Sequence, residues 1–314
     1  QSKLFMKPTR IPNNLLRSSG LVQRPPKIIT FDAYNTLYAI KRPVMEQYCI
    51  VGKKYGIDAN PKELTLRFPE VFNKIRSLYP LYGKKSGITT DQWWENLIRE
   101  VFKPVEIPQE MVRDILIRFE GYEAYTVYPD VKEFLEKVRT KYPDVILGII
   151  SNTDPIVLKL LENIGLKNYF DGNIYLSYDL EIKKPDPMIF QYAIADLFKR
   201  YDLQKEFGDL ETFRKSGLIW HVGDEEKNDL LGAHNAGING VLVDRCNEFG
   251  YFNPPTENPE NNKGLSENEL SLRKVCNESE SSFEQSAAIN DVIQVSEGQY
   301  VITNFKTLDT MLFY

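Results

Sequence analysis

Three apolar runs in this chain each end on a polar residue. Lys27-Ile28-Ile29-Thr30-Phe31 leads into Asp32, Val145–Ile150 into Ser151-Asn152, and Leu218–Val222 into Gly223-Asp224. A carboxylate, a hydroxyl beside an amide, and a second carboxylate make a polar site wherever a fold brings those run ends together. Lys184, in Lys183-Lys184-Pro185-Asp186-Pro187, offers a compact point charge, and Asp229 closes the stretch Gly223-Asp224-Glu225-Glu226-Lys227-Asn228-Asp229. Only two histidines are present, His221 and His234, and a Ser-His-Asp or Cys-His mechanism would need one of them well placed. His221 lies inside an apolar run and reads as a buried, hydrogen-bonded residue. His234 falls on the helix that follows, facing solvent or the sheet. Cys49, Cys246 and Cys276 are scattered without CxxC spacing, the pattern of reduced thiols in an intracellular protein rather than of zinc ligands or a disulfide framework.

The elements that must position these residues follow from periodicity. The three runs are short, apolar and rich in β-branched residues. Two more resemble them: Gly240–Val243 before Asp244, and Tyr300–Thr303 before a helix-like Phe305–Phe313. Near-continuous apolar strands alternating with helices predict an α/β fold, a Rossmann-like parallel sheet with helices on both faces. In such sheets ligands sit outside the carboxyl ends of the strands, which is where Asp32, Ser151 and Asp224 fall.

Between residues 40 and 125 the pattern is helical only. Thr90-Asp91 starts a helix in which Trp94, Leu97, Ile98 and Val101 share a face, and the Trp93-Trp94 pair reads as core packing. The expectation is an inserted all-helical cap lobe, residues 40–125, over the active edge of a core formed by residues 27–39 and 126–314. Lys41-Arg42, near the start of the lobe, reads as a solvated hinge.

The 314 residues suffice for a large domain with such an insertion, and 42% hydrophobic with 26% charged residues is the composition of a folded chain. A net charge of -5 gives no broad basic field, so nucleic acid is excluded as the main partner, and no apolar run approaches the ~20 residues that span a bilayer. Residues 1–26 belong to a stretch without any acid up to Asp32, holding Lys3, Lys7, Arg10, Arg17, Arg24 and Lys27. Read as a leader without packed structure, it has the composition of a mitochondrial transit segment, although Pro8 and Pro12 interrupt the helix such a segment forms. A mitochondrial or a cytoplasmic location follows, according to how that stretch is read. Residues 251–290 carry seven acids against three bases and read as a disordered acidic insertion within the core.

Asp32-Ala33-Tyr34-Asn35-Thr36-Leu37, Ser151-Asn152, Lys184 and Gly223-Asp224 with Asp229 together resemble, in order, the four motifs of the haloacid dehalogenase superfamily. The match runs over roughly residues 27–245 and the final strand, and the helical block lies where that superfamily inserts its larger cap. The resemblance implies that Asp32 is a nucleophile forming a covalent aspartyl intermediate. It implies that Thr36, Ser151 and Asn152 hold the transferring group, that Lys184 neutralises charge, and that Asp229 orients the lysine. Asp32, Asp224 and the backbone carbonyl of Tyr34 would bind magnesium, whose octahedral oxygen preference they suit. Glu225 and Glu226 would be outer-sphere groups or helix N-terminal acids.

One departure stands out. Most phosphatases of the superfamily carry a second Asp two positions after the nucleophile, to protonate the leaving group and activate water; here that position is Tyr34. A phenol near pKa 10 is a poor general acid-base at neutral pH. Asp-Ala-Tyr also resembles the dehalogenases themselves, whose halide leaving group needs no proton. The expectation is therefore a magnesium-dependent hydrolase of a small anionic, phosphorylated metabolite. Its rivals are a metal-independent dehalogenase-type hydrolase and a catalytically weak pseudo-enzyme serving as a ligand sensor or interaction module.

Overall fold

Along the apolar runs the side chains pack alternately to either face of a sheet. Ile28 packs with Ile146, Ile150 and Ile219 on one face, while Ile29 and Phe31 join Leu147, Ile149, Trp220 and Val222 on the other. Both faces are dry, so these strands have no polar alternate positions. A computed structural model describes residues 7–252 and 289–313. Its strands are β1 (Thr9–Ile11), β2 (Ile28–Phe31), β3 (Tyr38–Ile40), β4 (Tyr125–Val127), β5 (Ile146–Ser151), β6 (Ile174–Leu176), β7 (Ile219–Gly223), β8 (Asn239–Val243), β9 (Val292–Ser296) and β10 (Gln299–Ile302).

Eight strands form one sheet in the order β1-β9-β10-β8-β7-β2-β5-β6. It is parallel from β10 to β6, as the sequence predicts, and antiparallel where β9 meets β10 and β1. β2 lies between β7 and β5, with Phe31 level with Val222 and Ile149. That register delivers Asp32, Ser151 and Asp224 to neighbouring positions on one sheet edge.

β3 and β4 pair as a separate antiparallel ribbon, and all of the lobe's helices lie between them: α1 (Val44–Lys53), α2 (Pro61–Leu78), α3 (Thr90–Phe102) and α4 (Gln109–Arg118). These helices enclose their own core, which includes Met45, Val71, Trp93, Leu97, Met111 and Ile115. α3 starts on a reciprocal cap, Thr89 Oγ1 accepting from Gln92 N and Gln92 Oε1 from Thr89 N. The tryptophan pair divides: Trp93 is buried with Leu97, Ile98 and Val101, whereas Trp94, expected on that face, lies half-buried beside it. The chain returns to the sheet through α5 (Pro129–Lys141) and, after β5, α6 (Ile156–Asn163).

The reading of residues 1–26 as lying outside the fold is corrected for residues 7–26. β1 is the sheet's outer strand, and Leu16 and Val22 are buried in the main core. Its basic residue has a distant acid: Arg10 Nε stands 2.7 Å from Asp291 Oδ2, and Asn13 N donates to Asp291 Oδ1. The acid-poor composition is thus complemented from the other end of the chain. Of the expected insertion at 251–290, residues 253–288 lie outside the described residues. Its flanks do pack, since Phe252 and Ile289 join Leu230, Leu242, Ile293 and Val301 in a small cluster. Among the described residues no helix is long and apolar enough to cross a membrane.

Candidate active site

At the centre of the sheet edge, Lys184 Nζ donates to Asp32 Oδ1 and to Asp229 Oδ1, each at 2.7 Å. The lysine side chain is 2% exposed, that of Asp229 0% and that of Asp32 13%, so the triad is closed on one side and reaches the cleft only through Asp32. Burial opposes charge on all three groups. For Lys184 the two carboxylates outweigh burial and hold the ammonium firmly charged. At Asp229 burial is outweighed by Lys184 and His221, and the carboxyl stays below its ordinary range. At Asp32 burial prevails over Lys184, and the carboxyl is pushed up to about 6.

His221 sits behind this triad with 0% exposure. Its Nε2 lies 2.8 Å from Asp229 Oδ1 and its Nδ1 2.8 Å from Thr30 Oγ1. An ionised Asp229 can only accept, so the partners assign the Nε2–H tautomer, with the threonine hydroxyl donating to Nδ1. Burial lowers the imidazole's pKa further than Asp229 raises it. His221 is therefore the neutral, hydrogen-bonded core residue that its place in the sequence suggests. His234 is exposed.

Asp229 is held by three donors. Its Oδ1 accepts from Lys184 and His221, and its Oδ2 from Glu225 N at 3.0 Å. The turn that brings it in depends on Gly223, because a Cβ there would stand 2.1 Å from Asp229 Cγ.

Oxygens of Asp32, Asp224 and Asp229 lie within 4.8 Å of one another. Asp32 and Asp224 are the candidate carboxylates for a hard cation, and Asp32 Oδ2 makes no hydrogen bond to the described residues. An all-oxygen donor set of this kind fits magnesium and suits neither zinc nor copper.

Two of the other sequence candidates, Thr36 and Asn152, hold neighbouring groups. Thr36, expected at the transferring group, is 0% exposed, and its hydroxyl donates to Asp224 Oδ1 at 3.2 Å. Asn152 clasps the backbone of Lys184, Nδ2 donating to its carbonyl at 2.9 Å and Oδ1 accepting from its N–H at 2.8 Å. Ser151, the last residue of β5, is 4% exposed. Tyr34 is 36% exposed, and its ring lies 6.2 Å from Tyr38 and 6.1 Å from Tyr125, one on each strand of the ribbon. Asn35, which turns the chain towards β3, has φ 61°, a left-handed conformation that Asn tolerates better than most residues. Lys41 donates to the Tyr122 carbonyl. Glu225 and Glu226 stand at the start of the helical turn Glu226–Leu231, and Glu226 accepts from the Tyr251 hydroxyl at 2.8 Å. Sequence reasoning missed Asp154, which accepts from Trp94 Nε1 across the two lobes; nothing in its local pattern marks it.

Known proteins share this arrangement of sequence. A family profile described as haloacid dehalogenase-like hydrolase matches residues 26–237. An uncharacterized protein of Saccharomyces cerevisiae is 50% identical over 97% of this chain and 98% of its own length. The haloacid dehalogenase-like hydrolase domain-containing protein 3 of Danio rerio is 27% identical over 70% of this chain and 86% of its own. Among solved structures, the defluorinating L-2-haloacid dehalogenase Rha0230 superposes with a TM-score of 0.52 at 16% identity, covering 80% of this chain and 90% of that one. That last likeness is one of fold.

Proposed function

The chain belongs to the haloacid dehalogenase-like hydrolase family, and from that membership and its cleft we propose a magnesium-dependent hydrolase of a small phosphorylated metabolite. The observation that carries the reading is the division of labour among three carboxylates. Lys184, His221 and Glu225 hold Asp229 behind the cleft, and Asp32 and Asp224 are the carboxylates we assign to substrate and cation.

In the proposed reaction Asp32 attacks the phosphorus, the bond from phosphorus to the leaving oxygen breaks, and an aspartyl-phosphate forms. Water then attacks that phosphorus and frees the carboxylate, giving inorganic phosphate. Lys184 holds the nucleophile in place and offsets negative charge near the transferring group. Asp229 keeps the lysine charged and aimed, and Asn152 fixes the lysine's backbone. Ser151 lines the phosphate end of the cleft, and Thr36 serves that end through Asp224, whose carboxylate it orients. Magnesium, held by Asp32, Asp224 and the Tyr34 carbonyl, would supply positive charge to the phosphoryl oxygens. The leaving group's proton has no carboxyl donor at the Tyr34 position, so good leaving groups are favoured.

A panel of phosphorylated metabolites and p-nitrophenyl phosphate, assayed with and without magnesium, tests this. Turnover that requires magnesium and disappears in Asp32→Asn and Asp224→Asn is expected. The Tyr34 side chain favours a second reading, metal-independent dehalogenation, and hydrolysis of a 2-haloacid without magnesium would establish it in place of the first. Binding of phosphorylated ligands without any turnover would instead establish a sensor.

A further inference from the structure

Trp94 leaves the lobe's core where its neighbour enters it. Trp93 is 1% exposed and donates within the lobe to the Tyr79 carbonyl at 2.9 Å. Trp94 donates across the gap instead, its Nε1 standing 2.9 Å from Asp154 Oδ2. Its ring is held edge-on to Trp93 at 4.9 Å and tilted against Tyr82 at 6.2 Å. The donor therefore reaches Asp154 already oriented, at little further entropic cost.

Asp154 belongs to the sheet side of the cleft, three residues beyond Ser151. Its Oδ1 accepts from Ile156 N at 2.8 Å at the start of α6. It is 2% exposed, and burial lifts its carboxyl above the ordinary range. Both of its oxygens are thus engaged by neutral donors, one from its own loop and one from the lobe.

The turn that carries Asp154 is tied to the catalytic lysine. Asn152 clasps the Lys184 backbone, and the Thr153 carbonyl accepts from Tyr178 N at 3.3 Å. Other contacts also join these surfaces. Lys84 Nζ donates to the Tyr178 carbonyl at 2.9 Å, Tyr122 Oη to the Ile164 carbonyl at 2.9 Å and Asn163 Nδ2 to the Glu120 carbonyl at 2.7 Å, while Lys84 and Lys85 pair with Glu181 at 3.3 and 3.5 Å on side chains that are 33%, 62% and 45% exposed. The ion pairs among them are screened by solvent and fix little. The Trp94–Asp154 bond is directional and shielded.

We propose that Trp94 and Asp154 are a positioning pair that seats the helical lobe on the Ser151–Asp154 turn and so sets the entrance to the cleft. The functional half of this inference rests on the hydrolase reading above. When the lobe lifts, Asp154 trades an indole N–H for water, an exchange that favours the seated lobe by only about tenfold. The contact can therefore break and re-form during turnover.

Hydrogen exchange on the full chain tests the contact without any need for turnover. Trp94→Phe keeps an aromatic ring and removes the donor; Asp154→Asn keeps the shape and removes the charge. Amides in residues 79–98 and 152–158 should exchange about tenfold faster in both variants, the effect of losing one shielded hydrogen bond to a carboxylate. Residues 28–31 and 219–223 should be unchanged. Equal protection of both segments, in variants that melt at the parent's temperature, would overturn the proposal. If Asp154→Asn does not fold, Trp94→Phe decides alone. With p-nitrophenyl phosphate and magnesium, Trp94→Phe should raise KM by roughly 3- to 10-fold with kcat within about twofold. A loss confined to kcat would assign the pair to chemistry and overturn a positioning role. If the parent turns nothing over, the hydrolase reading fails while the exchange result still decides the contact.

Discussion

The carboxylate of Asp229 lies directly against Gly223, so that a Cβ on the glycine would stand 2.2 Å from Asp229 Oδ2. The glycine is required by this close approach. Gly223→Ala should displace Asp229 from Lys184 and His221 and cost about 1–3 kcal/mol, the usual range for forced overpacking. Thermal unfolding measures the loss, and turnover should fall with it. An alanine variant with parental stability would show that the turn relaxes freely.

Breaking the buried triad should be more severe. Lys184→Met leaves Asp229 charged and enclosed without its cation, which typically costs ~3–5 kcal/mol. Adding Asp229→Asn should recover part of that stability and none of the turnover. Lys184→Arg should not substitute, because a planar fork cannot serve two carboxylates placed around a point charge. Denaturant unfolding of the single and double variants checks the coupling.

In the proposed reaction Tyr34 stands where a general acid would act. Tyr34→Asp should raise turnover of an alkyl phosphate, whose leaving oxygen needs a proton, more than that of a nitrophenyl phosphate. The ratio should change by at most ~10²–10⁴, the span credited to acid-base catalysis. Tyr34→Phe serves as the control: it keeps the ring beside Tyr38 and Tyr125 and removes only the hydroxyl. A large loss in Tyr34→Phe would make the phenol itself a participant.

His221 gives stability a pH dependence of known sign. Its pKa is lowered from 6.5 in the folded state, so below about pH 6.5 the unfolded chain binds more protons and stability falls with acidification. Asp229, lowered from 3.8, adds a loss of the same sign below about pH 4. Asp32 and Asp244, raised from 3.8 to about 6, act oppositely between those values, since the folded chain then binds more protons. Both acids still titrate between pH 6 and 7, so it is the difference between the parent and a variant without the imidazole that isolates the histidine. Unfolding midpoints of the parent and His221→Gln should converge as pH falls through that window, and parallel curves would contradict the assignment.

Much of the sheet was legible because its strands are dry on both faces, and the edge that gathers Asp32, Ser151 and Asp224 was legible from the strand ends. Periodicity found α3 and the face on which Trp94 packs, but not that Trp93 is the more deeply buried of the two. β1 was hidden by its composition: three residues with Arg10 among them look like a basic leader until Asp291 is placed beside them. Asn152 and Thr36 were read as groups on the substrate because their spacing is all that a sequence displays. That Asn152 grips a backbone and Thr36 a carboxylate depends on side-chain direction. Asp154 had no signal, because its partner lies 60 residues away in the other lobe.

The pairing of β1 with β9 has a consequence for how the protein is made. Translation delivers β1 long before β9, Arg10 and Asp291 being 281 positions apart. Joining segments so far apart is slow, since loop closure must precede any gain from contact. The strands from β2 to β8 can assemble on the nascent chain while β1 waits beside them without its neighbour. The seam between β1 and β9 therefore closes late. A cut that removes residues 7–12 would leave the outer N–H and C=O groups of β9 open to pairing with another molecule.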